Sequence, residues 1–424
     1  MARRASASSS TSFPPDVERR AHPVVSVLIP CWNSAGSIER AIESVLEEAS
    51  VGLECIVVDD GSTDGSLDVI RTVAARDPRV VVLALEANAG VSAARNRGLE
   101  LVRGEWLTLL DADDRFLPGG LATLVRAGLD GDAAAIIGQQ VWWDGHQHSH
   151  RSRYDIDDIR RPGRKSLAAN PGLLNYVSPH GKLLRRECWH GLEFRGRVLG
   201  DQPWIIRALL RAGDRIDVLG DTVYEWYRPA ADVPSTSITA TTRASIARGV
   251  EAIGVAVAAL SEVADEAGLR LGSADAELVV ARYAERLIGT DLAAHVARAL
   301  DRQDAEIGRL FEAIAAFVAA APPGSVGQSN ALVRRILEPV LREWAILPND
   351  ARAAVARLLA ASAKADPALA HKAAGRLSRL ALRIATVRGP DGRLALSSWL
   401  LRLAARRRLA AGAHGEPGED EAGP

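Results

Sequence analysis

The sequence predicts an α/β domain, in which helices flank a mostly parallel sheet, followed by an all-helical domain. Three observations carry this prediction. From Val24 to Leu129, apolar β-rich runs alternate four times with stretches of helical period, as in parallel sheets covered on both faces. The polar clusters of this region fall where such runs end, which is where α/β sheets bind ligands. Beyond Pro229 a Pro-, Ser- and Thr-rich stretch gives way to apolar residues spaced by three and four, a helix period.

Val24 to Ile29 is the first strand, closed by Pro30, and Ser34 to Glu48 is the first helix, with apolar residues at Ile38, Ile42, Val45 and Leu46. Leu53 to Val58 is the second strand, and Leu67, Ile70 and Val73 mark the helix after it. Val80 to Leu85 with Val91 to Val102 is the third unit, and Trp106 to Leu110 with Leu121 to Leu129 is the fourth. Asp144-Gly145 between two extended runs marks a hairpin, which places His146, His148 and His150 on one face of the returning strand. Three histidines on one short strand lack a fourth ligand, so an exposed hairpin is the better reading than a metal site. Residues 243–411 form the helical domain, with stripes at Ile246, Val250, Ile253, Val257 and Leu260, and again at Val279, Tyr283, Leu287, Leu292 and Val296. The α/β domain is placed at 23–230, a linker at 231–242, and disordered segments at 1–22 and in the acidic tail 412–424.

Composition narrows the setting. The 424 residues are 47% hydrophobic and 25% charged, as in ordinary globular proteins. A net charge of -1 provides no field for a polyanion, so no nucleic-acid partner is expected. Three cysteines, Cys31, Cys55 and Cys188, are too few for a disulfide scaffold and fit a reducing cytoplasm. The leader lacks the apolar core of a signal peptide, and no run of ~18 apolar residues could span a bilayer.

The chemistry concentrates where Leu107 to Leu110 runs into Asp111-Ala112-Asp113-Asp114. Carboxylates at i and i+2 project to one side of an extended chain, and hard oxygens on one side suit Mg²⁺ or Mn²⁺ with a substrate diphosphate. The alternative is a solvated turn in which one Asp caps the next helix. Asp59-Asp60-Gly61-Ser62-Thr63-Asp64 makes a strand-turn-helix connector with an unexplained doubled Asp, and Asn88 to Gly98 begins a helix that could attract an anion, with Arg95 about two turns in. Neither a glycine-rich dinucleotide fingerprint nor a Lys-containing phosphate loop is present.

Taken together, these motifs resemble the family 2 glycosyltransferases of GT-A fold. Pro30-Cys31-Trp32-Asn33 is similar to that family's first-strand motif, Asp59 to Asp64 to its second-strand turn, Asn88 to Gly98 to its Asn-x-Gly-x-x-x-Ala-Arg-Asn-x-Gly helix, and Asp111 to Asp114 to its D-x-D. The likeness covers about half the chain, Val24 to Arg228. The resemblance implies a nucleotide-sugar donor lying across the strand ends, with Pro30, Trp32, Asn33, Asp59, Asp60, Arg95 and Asp111 around it, Trp32 stacking on the base and Asp60 hydrogen-bonding it. Asp113 would hold the metal, Mn²⁺ or Mg²⁺. Gly200-Asp201 resembles the family's Glu-Asp or Gly-Asp pair, which makes Asp201 the expected base, with simple helix capping as its other reading. His180, Lys182 and Trp204 are candidates for contact with acceptor or diphosphate.

The expected activity is an inverting, metal-dependent transfer of a sugar, from a UDP-sugar above all, to a hydroxyl of a glycan, cell-envelope polymer or lipid-linked acceptor. A nucleotidyltransferase and a catalytically silent glycan-binding protein are the rivals. Only four of 52 basic residues are lysine, a bias that suggests a GC-rich bacterial source. Finally, residues 371–410 carry ten Lys or Arg against the single acid Asp391, beside apolar stripes at Leu377, Leu380, Ile384 and Val387. These stripes could pack on the helical domain or on a second subunit; alternatively the segment gives weak peripheral attachment at the inner membrane face.

Overall fold

The computed structural model describes residues 23–48, 52–146, 148–149, 156–196, 198–227, 245–322, 325–326, 331–344 and 346–365. The expected leader, linker, acidic tail and basic segment 371–410 lie outside these residues, as do His150 and the end of the helical domain.

The strands are β1 (Val25–Cys31), β2 (Leu53–Asp59), β3 (Val80–Ala84), β4 (Trp106–Leu109), β5 (Arg115–Phe116), β6 (Ala135–Trp143), β7 (His148–Ser149), β8 (Gly163–Lys165), β9 (Lys182–Arg185) and β10 (Ile216–Tyr227). They form one sheet in the order β3-β2-β1-β4-β9-β6-β10-β5, with β7 on β6 and β8 on β10. The first four neighbours are parallel, as the repeated strand-helix units require. β9 then enters antiparallel between β4 and β6, and β6 pairs in parallel with β10, so the sheet is mixed. The hairpin expected at Asp144-Gly145 is present, joining β6 to β7.

Alternate residues of β1 serve the two faces. Val25, Val27 and Ile29 pack with Ile38, Ala41 and Ile42 of α1 (Ile38–Leu46), Ile70 of α2 (Ser66–Arg76) and Leu121 of α4 (Gly120–Leu129). Leu28 faces the other way, with Ile56 and Val58, toward Ala94 of α3 (Val91–Leu99). Short α5 (Asp157–Arg160) and α6 (Arg186–Trp189) lead to α7 (Asp201–Ala212), whose Trp204, Ile205 and Leu209 join this second layer.

The helices that follow do not form a separate body. Their buried residues, from Ile246 of α8 (Ile246–Arg270) to Leu359, continue the apolar core of that sheet face without a break. Charge reinforces the seam: Arg207 reaches Glu262 at 2.9 Å and Arg211 reaches the buried Glu266 at 3.0 Å. None of the described helices is long and apolar enough to cross a membrane.

Candidate active site

The three aspartates after β4 differ in environment although their carboxylate oxygens lie within 4.8 Å of one another. Asp114 is buried and held by its neighbours: the Tyr224 hydroxyl donates to Oδ2 at 2.7 Å and the Tyr227 N–H to Oδ1 at 2.8 Å. Asp111 is half-buried, with the Arg95 guanidinium and His180 Nε2 each 3.0 Å from Oδ1. Asp113 alone opens to solvent, and Arg40 donates to its carbonyl oxygen at 2.7 Å.

The electrostatics follow from these contacts. Burial raises the Asp111 carboxyl, but His180 and Arg95 more than offset it and hold the group well below the usual carboxylate range. Packing and then the Asp111 charge push Asp113 up to about 6, while burial with the Asp113 and Asp111 charges pushes Asp114 higher than its ordinary value. Convergent, oxygen-only ligands that repel one another are suited to a hard divalent cation, so the residues fit Mg²⁺ or Mn²⁺. Below that pKa such binding must displace a proton from Asp113. Its raised pKa means the carboxyl is ionised above about pH 6 and protonated below it, so cation affinity should be flat above neutrality and weaken by about tenfold per unit below that point. Isothermal titration with Mn²⁺ across pH 5 to 8 measures this.

On the donor side, the turn after β1 and the turn after β2 are stitched together. Asn33, at φ 49°, accepts from the Thr63 N–H at 2.8 Å and donates its own N–H to Ser62 Oγ at 2.9 Å. Trp32 stands out from this junction half exposed, whereas Pro30 is buried within β1. Asp59 is buried and accepts from the Ser62 N–H at 3.2 Å, while its Oδ1 has no partner among the described residues.

Two expected donor ligands are otherwise engaged. Both carboxylate oxygens of Asp60 accept backbone N–H groups, from Ala89 and Gly90 at 2.8 Å each, so this buried acid fixes the loop before α3 instead of standing open to a base. Arg95 points inward to Asp111 and lies over the Phe194 ring, because a guanidinium buried this deeply requires a charge partner.

A chain of polar contacts leads from Asp111 toward the expected base. His180 Nδ1 lies 2.8 Å from Ser178 Oγ, and the fully buried Lys182 donates from Nζ to the Ser178 carbonyl. Burial pushes the Lys182 ammonium far below its ordinary pKa, against the opposing pull of the Asp201 charge nearby. Lys182 sits over the Tyr176 ring and does not reach solvent, so its expected acceptor contact gives way to a place in the core. Trp204 is corrected likewise: it is 1% exposed and stacks on Phe194 at 4.5 Å, on the side of α7 that joins the apolar core. His180, also buried, reaches Asp111 rather than open space.

Asp201 opens α7, half-buried, and its carboxylate makes no hydrogen bond among the described residues. The glycine before it has a packing reason. A Cβ on Gly200 would stand 2.1 Å from the Arg195 carbonyl oxygen and 2.8 Å from Ser92 Oγ, so no larger residue fits here. Gly200→Ala should therefore destabilise the protein by about 1–3 kcal/mol in urea unfolding. Gly254→Ala, in open space on α8, should instead stabilise it by up to about 1 kcal/mol. Sequence reasoning missed Arg40, Ser178, Tyr224 and Tyr227. The tyrosines belong to the run Val-Tyr-Glu-Trp-Tyr at 223–227, whose β-rich alternation was there to be read.

Residues 26–191 match the model of glycosyl transferase family 2. That segment is a family 2 glycosyltransferase domain. Glycosyltransferase GlyG of Streptococcus pneumoniae serotype 4 is 27% identical over 222 residues, 50% of this chain and 73% of that protein. The succinoglycan biosynthesis protein ExoO of Rhizobium meliloti is 38% identical over 124 residues, 29% of this chain and 34% of its own length. Several curated relatives are, like ExoO, matched over about a third of their length. The crystal structure of residues 1–349 of TarS from S. aureus, solved in complex with UDP-GlcNAc, superposes with a TM-score of 0.58 at 18% identity, over 83% of this chain and 91% of that one. That share exceeds the sheet region, so the chain has its helices, as well as its sheet, in common with a known fold.

Proposed function

We propose that this protein transfers a sugar from a nucleotide donor, a UDP-sugar, to a hydroxyl of a glycan or cell-envelope polymer, with inversion at the anomeric carbon. The observation that carries the proposal is the carboxylate cluster at the strand ends, from which contacts through His180 and Ser178 reach Lys182, close enough to the unengaged Asp201 to feel its charge. Asp113, with Asp111 beside it, would hold the divalent cation, which would supply neutralising charge for the departing diphosphate. Arg95 and His180 keep Asp111 ionised and aimed at the cluster. Trp32 offers its exposed ring to the base, and Asp60 serves the donor indirectly by shaping the Ala89-Gly90 loop.

Asp201 accepts the proton of the acceptor hydroxyl, whose oxygen attacks the anomeric carbon opposite the leaving group, and a single displacement inverts the centre. A glycan acceptor is favoured by ExoO, which is named for succinoglycan biosynthesis. Because TarS was crystallised with UDP-GlcNAc, UDP-sugars come first in the test. Nucleotide sugars are screened for slow hydrolysis without acceptor, with and without Mn²⁺. Metal-dependent release of a nucleoside diphosphate is the expected result, and no turnover of any donor, or release of pyrophosphate, would oppose the proposal.

A further inference from the structure

A second polar cluster joins helix α7 to the helices that follow it. Gln202, the residue after Asp201, is 6% exposed, and its side chain is engaged by the helical region. Its Oε1 accepts from Arg286 at 2.8 Å and lies 3.5 Å from the Tyr283 hydroxyl, while its Nε2 is 3.4 Å from Asp291 Oδ2. Arg286 and Asp291 are paired at 2.5 Å, each with a side chain 9% exposed.

The local backbone is built for this pair. Residues five apart on an α-helix stand about 140° apart, at about 100° per residue. Here the chain from helix Ser273–Arg286 to helix Ala293–Asp301 runs through the π-helical segment Leu287–Leu292, whose i to i+5 hydrogen bonds bring Arg286 and Asp291 to the same side. A buried ion pair is a weak source of stability, and a π turn is uncommon, so their joint presence against one glutamine calls for a purpose other than stability.

The other side of that glutamine supplies it. No hydrogen bond among the described residues orients the Asp201 carboxylate, so its aim is set by the helical turn that carries it. That turn is confined from several directions. Leu199 is held at φ 57°, a conformation a bulky residue keeps only when its surroundings impose it, and Gly200 has no free space. Lys182 from the sheet and Tyr283 from the helices both lie close enough to feel the Asp201 charge.

We infer that Arg286 and Asp291 are positioning residues for the transfer reaction, which hold Gln202 and through it fix the first turn of α7 so that Asp201 faces the acceptor hydroxyl. The inference rests on the reading of Asp201 as the base. It also gives the helical region a task in catalysis: its π turn carries the clamp.

A double-mutant cycle on the full chain tests it. Arg286→Met with Asp291→Leu removes both charges together and so leaves no unpaired buried ion. Single-turnover transfer, donor Kd and thermal unfolding are measured for this variant, for Asp201→Asn, and for the two combined. The clamp variant should bind donor within about twofold of wild type while its transfer rate falls by about 10- to 100-fold. In the Asp201→Asn background the same changes should cost nothing further, because a base that is absent cannot be misaimed. Gln202→Met, which leaves the ion pair in place, should reproduce the loss if the first variant does not fold. A clamp variant with the wild-type rate, or a loss that persists in full without Asp201, overturns the inference. Failure of the base reading has its own mark, a wild-type rate in Asp201→Asn alone.

Discussion

Asp113→Asn should abolish donor binding that depends on metal and lower turnover by about 10³-fold or more, the loss of several kcal/mol of transition-state stabilisation. Asp113 is the member of the cluster that opens to solvent, and the surrounding acids already crowd it. The substitution keeps its shape and removes the charge a cation needs. Asp114→Asn makes a useful contrast. Its oxygens accept from Tyr224 and the Tyr227 N–H, so the amide would lose an acceptor inside the fold, and reduced stability should accompany any loss of activity. Titration of Mn²⁺ and of UDP-sugar into each variant, beside urea unfolding, separates the two cases: Asp113→Asn folds normally and binds no metal-linked donor. If Asp113→Asn retains Mn²⁺-dependent donor binding, the cation is held elsewhere.

Asp201→Asn should leave donor affinity near that of the parent while kcat falls by about 10²- to 10⁴-fold, the usual worth of a general base. Two features favour a clean separation: the carboxylate makes no hydrogen bond among the described residues, and Asp111 is held by Arg95 and His180 and not by Asp201. Equal loss of donor affinity and kcat would mean that Asp201 supports the donor site instead of deprotonating the acceptor.

Much of the fold was legible because strand and helix periods in the first half are undiluted. Val24 to Leu110 alternates apolar runs with polar turns, and the turns that carry the motifs lie beyond the C-terminal ends of parallel strands. The antiparallel entry of β9 was not legible, since pairing between β4 and β6 is decided by contacts far apart in sequence. Motif reading named residues that the fold gathers near the strand ends, but it could not say which way each side chain turns. Asp60 satisfies two backbone N–H groups and Arg95 meets Asp111, because a charge buried in the fold takes the nearest complementary group. Trp204 lies on the side of α7 that the apolar core claims.

One feature of the helical region was visible without being understood. The stripe Val279, Tyr283, Leu287, Leu292, Val296 advances by four except for a single step of five, and that step coincides with the π segment. Gly200 is the converse case. The resemblance admits either Glu or Gly before the aspartate, and the 2.1 Å approach of the Arg195 carbonyl to the missing Cβ requires the glycine here.

The most direct test is analysis of the products. The enzyme is incubated with UDP-sugar, Mn²⁺ and a saccharide acceptor, the phosphorus products are identified, and the anomeric configuration of the new linkage is read by proton NMR. A metal-held donor, attacked in one step by an acceptor that Asp201 deprotonates, predicts UDP as the leaving group and a linkage inverted relative to the donor. Pyrophosphate release, or a linkage of retained configuration, would contradict it.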